Sequence, residues 1–333
     1  MSIRVMSSAV GVLVVGLSVG VEGAWGLERR AIEFTYGCEV IDVPAGASRI
    51  DLWMPVPKDG MGQKVHRVEV ILPADGTIAT EKEYDNRIFH KRFEGPFKKG
   101  DALSAEMVFE VTQEEIVVDA AKSLIRVQQV KAPAAMKPYL SPDAMIPIGG
   151  RIVDIANGLK LPKDDALRTA RTFYDYLIDE FKYNWMAEGA GKGNVLWACD
   201  SKTGDCTDYH SMFLALCRSR GIPATHEFGF KIPPKEGVAK LKYYHCWAWF
   251  WVEKVGWIPV DVSEADKHPE LREYNFGSLT ANLLRMVHGR DLILEPAQQA
   301  GPVNIFGYPY AEVDGKPHQG LKWTASYRDL EAK

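Results

Sequence analysis

The sequence predicts an α+β fold, an antiparallel β-rich half followed by a half of helices and antiparallel strands. Three observations predict it. Between residues 28 and 131, short apolar–polar alternations are separated by Gly, Pro, Asp and Asn, as in "RRAIEFTYGCEVI" and "ALSAEMVFEVTQ". From residue 161 the apolar spacing changes to three and four residues in "DDALRTARTFYDYLIDEFKY". Beyond it a helical stretch, "GDCTDYHSMFLALCRSRGIPA", precedes an alternating aromatic run, "HCWAWFWVEKVGWIPVD".

Residues 1–26 carry Arg4, an apolar run from Ala9 to Val21, and then small residues. This is the pattern of a secretory signal, with cleavage after Gly23 or Gly26. The run is short of the roughly 20 helical residues that span a bilayer. A periplasmic or secreted chain is expected, with an uncleaved membrane-tethering anchor as the alternative. Where the signal is removed, no integral membrane association is expected.

Residues 27–131 form the β-rich domain, expected as a small β-sandwich without a catalytic cluster of its own. Residues 132–160 read as a connector wrapping over the surface, because Pro133, Pro138, Pro142 and Pro147 oppose one long regular element. Residues 161–333 form the second domain with a C-terminal β extension. Its first helix should start near Pro162 to Asp164 and end before Asn184, with Ala170, Phe173, Tyr174 and Leu177 on the buried face. The glycines of "NWMAEGAGKGNVLW" do not make a phosphate loop, because Lys192 is followed by Gly193 rather than Ser or Thr. They read as a rim beside the site. "RDLILEP", "VNIFGYPYAEVDG" and "LKWTASYRDLE" read as closing strands.

A net charge of −4 gives no basic footprint for nucleic acid. The five cysteines contain no CxxC, so no structural zinc is expected, and no calcium loop or cofactor motif is present. In an exported chain some of the five can pair. Cys199 or Cys217 could pair with Cys246, and a Cys199–Cys206 bridge would imply redox control or an inactive site.

Cys206 lies in the first turn of a helix that Asp205 can cap and that Gly221 and Pro223 end. Unpaired amides and the helix dipole favour a thiolate there and can face a developing oxyanion. The helix alone fits a structural cysteine equally well. His245 and Asp261 change the balance: neighbouring antiparallel strands can bring them together, His245 to accept the thiol proton and Asp261 to hold the imidazole. His210, at i+4 from Cys206, is the competing base and is read as a pocket or packing residue. Asp208 is a pocket candidate whose plain reading is an exposed first-turn acid. Trp247 shares the strand phase of His245 and is a candidate groove wall, with core packing favoured. Cys246 should turn away from the site by alternation. Trp185 is the tentative second oxyanion donor, beside Asn184 and Trp197.

The ordered set "GDCTDYHSMFLALCRSRGIPA" and "HCWAWFWVEKVGWIPVD" resembles the bacterial transglutaminase-like superfamily over roughly residues 160–265. The resemblance implies a cysteine-protease-like core with the nucleophile at the start of a central helix packed on an antiparallel sheet. It carries that family's cysteine onto Cys206, its histidine onto His245 and its aspartate onto Asp261. The implied function is a cysteine-dependent amidase acting on peptide or protein amides through a thioester, as a peptidase or deamidase. The alternatives are a transglutaminase that passes the acyl group to an amine, and a non-catalytic interaction module.

Overall fold

The computed structural model describes residues 28–119, 124–125 and 136–331. The expected signal segment and the start of the connector lie outside the described residues.

Two five-stranded antiparallel sheets make a sandwich. One runs, in spatial order, Val238–Leu241, Leu321–Asp329, Arg29–Val40, Leu103–Glu114 and Gln63–Leu72. The other runs Lys316–Pro317, Tyr310–Val313, Arg49–Val56, Arg87–Glu94 and Thr77–Thr80. Period-two patterning explains the layers. Ile32, Phe34 and Tyr36 alternate with partly exposed neighbours and meet Leu52, Met54 and Phe89 in one apolar cluster.

The C-terminal strands differ from expectation. They belong to the sandwich rather than to an extension of the second half. Leu321–Asp329 pairs with Arg29–Val40 on one side and Val238–Leu241 on the other. Tyr310–Val313 pairs with Arg49–Val56. Alternation marks a strand but not the sheet that receives it. "RDLILEP" forms no strand; Leu292 makes only an isolated bridge to Val303. Arg30 bolts the join, donating to Asp329 at 2.7 and 2.9 Å and to Pro233 O and Asn282 Oδ1 at 2.6 Å.

The second half holds an antiparallel sheet ordered Gly256–Val260, His245–Val252, Ala224–Lys231 and Leu283–His288. The connector is not only a surface wrap. It contains the helix Arg151–Gly158, whose Ile152 and Ala156 are buried in the core. The prolines forbid a long element but leave room for this short one. The helix Ala166–Glu180 starts after its cap, Asp165, which accepts from Arg168 N at 2.9 Å, and buries Ala170, Phe173, Tyr174 and Leu177.

The central helix Cys206–Ser219 is buried from Cys206 through Arg218, on every face. Other helices and the sheet enclose it, so it is not the half-exposed amphipathic helix that its spacing suggests. Each polar residue on it therefore needs a partner. Arg218 donates to Ala224 O at 2.9 and 3.0 Å, to Ser141 O at 2.7 Å and to Asp143 at 2.8 Å. Arg290 donates to Ser211 Oγ at 2.6 Å. Enclosure fixes the helix start in place, which the site below requires.

Because one C-terminal strand stitches the halves together, deleting residues 321–333 should abolish the single cooperative unfolding transition. Urea denaturation followed by circular dichroism tests this, and an unchanged midpoint would show the strand to be dispensable.

Candidate active site

Asp205 precedes the central helix with extended backbone, and its carboxylate accepts from the amides of Thr207 and Asp208. Asp208 answers by accepting from Asp205 N at 3.0 Å, completing a capping box. Cys206 is the first helical residue, and its own N–H has no intrahelical acceptor. The chain therefore presents a thiol and a free-pointing amide at the positive end of a buried helix.

His245 is the first residue of its strand, and Asp261 follows the last residue of the neighbouring one. Asp261 Oδ2 lies 2.6 Å from His245 Nε2. Asp261 Oδ1 accepts from Ser263 Oγ at 3.0 Å and from Glu264 N at 2.9 Å. The carboxylate is thus held as the cap of the helix Val262–Lys267 while its other oxygen orients the imidazole. With Nε2 committed to Asp261, Nδ1 is the ring nitrogen left to serve a thiol. His245 and Asp261 meet, and all three of Cys206, His245 and Asp261 are buried: Cys206 is 5% exposed and His245 6%.

Cys246 was expected to turn away, and it does not. It shares a buried cluster with Cys206 and Phe228, and its Sγ lies 3.8 Å from Thr207 Oγ1 and 3.6 Å from His210 Nδ1. The face of the strand carrying Cys246, Ala248 and Phe250 is the face toward the central helix, as the Phe213–Phe250 ring contact at 5.8 Å marks. His245, at the strand's first residue, reaches the site from the end rather than from a face. All five cysteines are free, buried thiols, so of the open alternatives Cys199, Cys217 and Cys246 stay unpaired and no Cys199–Cys206 bridge forms. Cys199 Sγ packs on Met212 Sδ at 3.6 Å instead.

His210 is fully buried and serves packing. Its Nε2 accepts from Val262 N at 3.0 Å, so a neutral ring carries its proton on Nδ1, which faces Cys246 Sγ at 3.6 Å. Burial lowers its pKa and favours that neutral form. His226 is also buried and held neutral by burial, against the Phe228 ring at 5.2 Å.

The electrostatics favour an ion pair. The Cys206 thiol is pulled well below its ordinary value, first by the hydrogen bond from Cys246, against burial, and then by the hydrogen bond and charge of His245. Burial alone would lower His245, but the charge and hydrogen bond of Asp261, with Cys206, raise it to about 10. Burial would likewise raise Asp261, and the charge of His245 holds it below the usual carboxylate range instead. Asp205 is pushed up to about 8 by burial and by the neighbouring Cys206 and Asp208. These shifts set stability against pH. The His245 contribution is complete below its ordinary value of 6.5 and fades as pH rises through about 10. The Asp261 contribution is present above 3.8 and is lost as pH falls through its depressed value.

The remaining candidates sort by burial. Asp208 is 1% exposed, not an exposed acid. It accepts from Gly191 N at 2.7 Å and Gly193 N at 2.9 Å, so it clamps the glycine-rich loop to the helix start. The positive φ at both glycines lets the two amides converge on it. Trp247 is fully buried, and its Nε1 donates to Glu227 at 2.7 Å, so it is core rather than groove wall. Trp185 is 58% exposed, with its ring 6.0 Å from that of Tyr243. Asn184 Oδ1 accepts from Met186 N at 3.1 Å, and Trp197 packs over Gly189. Two phenols missed by the sequence reading lie nearer the thiol. Tyr244 hydrogen-bonds Thr207 Oγ1, and Tyr183 has its pKa raised by burial and then by the charge of Cys206. Their signal was only a tyrosine on each side of the motif pair.

A family profile described as the transglutaminase-like superfamily matches residues 153–262, which contain the helix start, His245 and Asp261. Over those residues the chain is similar to that superfamily. A solved structure of a candidate cysteine protease from Cytophaga hutchinsonii superposes on 92% of this chain and 94% of its own, with a TM-score of 0.57 and 14% identity. That likeness is one of fold. An uncharacterised protein of Haemophilus influenzae is 27% identical over 325 residues, covering 87% of this chain and 88% of its own. Among the described residues of this transglutaminase-like chain, no cluster of His, Cys, Asp and Glu is arranged to hold a metal ion. No helix among them is long and apolar enough to cross a membrane.

Asp208→Ala leaves three buried amides without an acceptor. It should cost about 3 kcal/mol of stability and free the 189–193 loop. Denaturant midpoints and hydrogen exchange of the Gly191 and Gly193 amides would read out both effects.

Proposed function

We propose that this chain is an exported cysteine-dependent amidase acting on peptide or protein amides. The observation that supports the reading is the buried His245–Asp261 pair together with a buried thiol at a helix start. One ring nitrogen is fixed at 2.6 Å from the carboxylate, and the other is left for a thiol at a helix start. Export rests on the signal pattern of residues 1–26.

In this mechanism the Cys206 thiolate attacks the amide carbonyl carbon, and the carbonyl oxygen takes the electron pair. The Cys206 N–H, unused within the helix, is positioned to receive that oxyanion. Protonated His245 gives its Nδ1 proton to the departing amine, leaving a thioester. His245, neutral again, removes a proton from water, which attacks the thioester and releases the acid with the thiolate restored. Asp261 keeps the ring oriented through both halves and stabilises its cationic form. Cys246 shares the buried cluster of Cys206 and takes no proton in the cycle. Hydrolysis is preferred over amine transfer because it needs no second macromolecular acceptor site.

Incubating the reduced protein with a proteome-derived peptide library, with and without a primary amine, tests the proposal by mass spectrometry. New termini or a gain of about one dalton should appear with wild type and vanish with Cys206→Ala. His245→Ala should lower the rate by on the order of a thousandfold or more. Amine adducts in place of hydrolysis would make the enzyme a transferase. Identical product patterns from all three proteins would contradict the enzymatic reading.

A further inference from the structure

The outer face of the second-half sheet, opposite the central helix, carries Thr225, Glu227, Trp249, Trp257 and Arg285, and loops of the sandwich cover it. Between them lies a cavity of about 320 Å³, closed by Lys58 and Tyr84 from the sandwich side and by Tyr139 of the connector. Its size is at the lower end of the range of small-molecule sites. Its walls are aromatic: Tyr139 meets Trp257 edge-on at 5.0 Å and Tyr84 at 5.6 Å.

The hydrogen bonds in it do not close. Glu227 is 2% exposed, and its oxygens are spent. Oε2 accepts from both Trp247 Nε1 and Trp249 Nε1 at 2.7 Å, and Oε1 faces His288 Nε2 at 2.9 Å. Arg285, 6% exposed, lines the same cavity, yet its Nη2 has no hydrogen-bond partner among the described residues. A buried guanidinium next to a saturated carboxylate lacks the oxygen it is shaped to hold. Lys58 adds a second cation to the lining and uses two of its three donors on Tyr84 O at 2.6 Å and Asp85 O at 3.0 Å. The two acids at the mouth do not meet this need. Asp59 is engaged by Lys64 at 2.5 Å and Val65 N at 2.8 Å, and among the described residues Asp85 makes no ion pair with Arg285.

We infer that this cavity is a binding site for a small organic monocarboxylate with an aromatic or branched apolar body, its carboxylate on Arg285 and its body against Trp249, Trp257 and Tyr139. Glu227 meets the charge of Arg285 but not its hydrogen bonds, and a planar carboxylate offers the acceptor oxygens that the guanidinium lacks. The indoles and phenols supply the apolar contact that a bare inorganic anion would waste. The site is separate from Cys206 and does not depend on the chemistry proposed for it.

Isothermal calorimetry on the full chain with benzoate, benzyl alcohol and inorganic phosphate, at constant ionic strength, tests this. Benzoate should bind saturably; the uncharged alcohol and phosphate should not. Arg285→Met should weaken benzoate by roughly tenfold or more, and Arg285→Lys, which keeps the charge but loses the fork, should fall between. Equal binding of the alcohol, preference for phosphate, unchanged benzoate affinity in Arg285→Met, or no benzoate heat up to about 10 mM would each overturn the assignment. If the Arg285 variants fail to fold, wild type alone decides. The Trp249 indole N–H resonance should shift with benzoate and stay fixed with the alcohol and phosphate, and a fixed resonance with benzoate would refute the site.

Discussion

A negative charge at a buried helix start is the constraint on which this structure turns. The central helix is enclosed on all faces, so a thiolate at Cys206 has little water to solvate it. It would require the dipole of the helix and a cation at His245, beside the Cys246 thiol packed in the same cluster. That cation requires Asp261, and Asp261 in turn is fixed by Ser263 Oγ and Glu264 N. Each group is held by the next, and the series ends in ordinary backbone capping. The two aspartates at the helix start oppose the thiolate. Asp205 responds by a raised pKa, and Asp208 spends its oxygens on the amides of the glycine-rich loop.

The sandwich is part of this arrangement. The two halves share a sheet through Leu321–Asp329 and Val238–Leu241, and the latter strand leads directly into the residues before His245. Tyr244 extends the connection. Its hydroxyl meets Thr207 on the central helix, and its ring stands edge-on to Tyr308 at 4.9 Å, which stacks on Trp323 of the C-terminal strand at 4.8 Å. The β-rich half thus braces the approach to the imidazole rather than standing apart as a separate module.

Much of this was legible in the sequence because its signals are local. The cap at Asp205, the stop at Gly221 and the aromatic alternation after His245 need only neighbouring residues to be read. The order of Cys206, His245 and Asp261 added a resemblance specific enough to predict the core. What failed was long-range. Alternation assigns faces within a strand, but it could not say which sheet would take residues 310–329. Nor could it say which face of the His245 strand meets the central helix, so Cys246 was placed on the wrong side. Asp208 read as a surface acid because its partners, Gly191 and Gly193, approach through a loop whose path has no periodic signal. The unsatisfied Arg285 was invisible for the same reason: its deficit exists only once the oxygens of Glu227 are spent elsewhere.

The central claim is that His245 and Cys206 share charge as an imidazolium–thiolate pair across neutral pH. The direct measurement is the rate of Cys206 alkylation by iodoacetamide from pH 4 to 10, in wild type and in His245→Gln, with peptide mass spectrometry to confirm the site. The account predicts a wild-type rate already high at pH 6 and level through neutrality. The variant's rate at pH 6 should fall by on the order of a hundredfold and rise only near an ordinary thiol value. A wild-type profile that rises only above pH 8, or one unchanged by the substitution, would contradict the account.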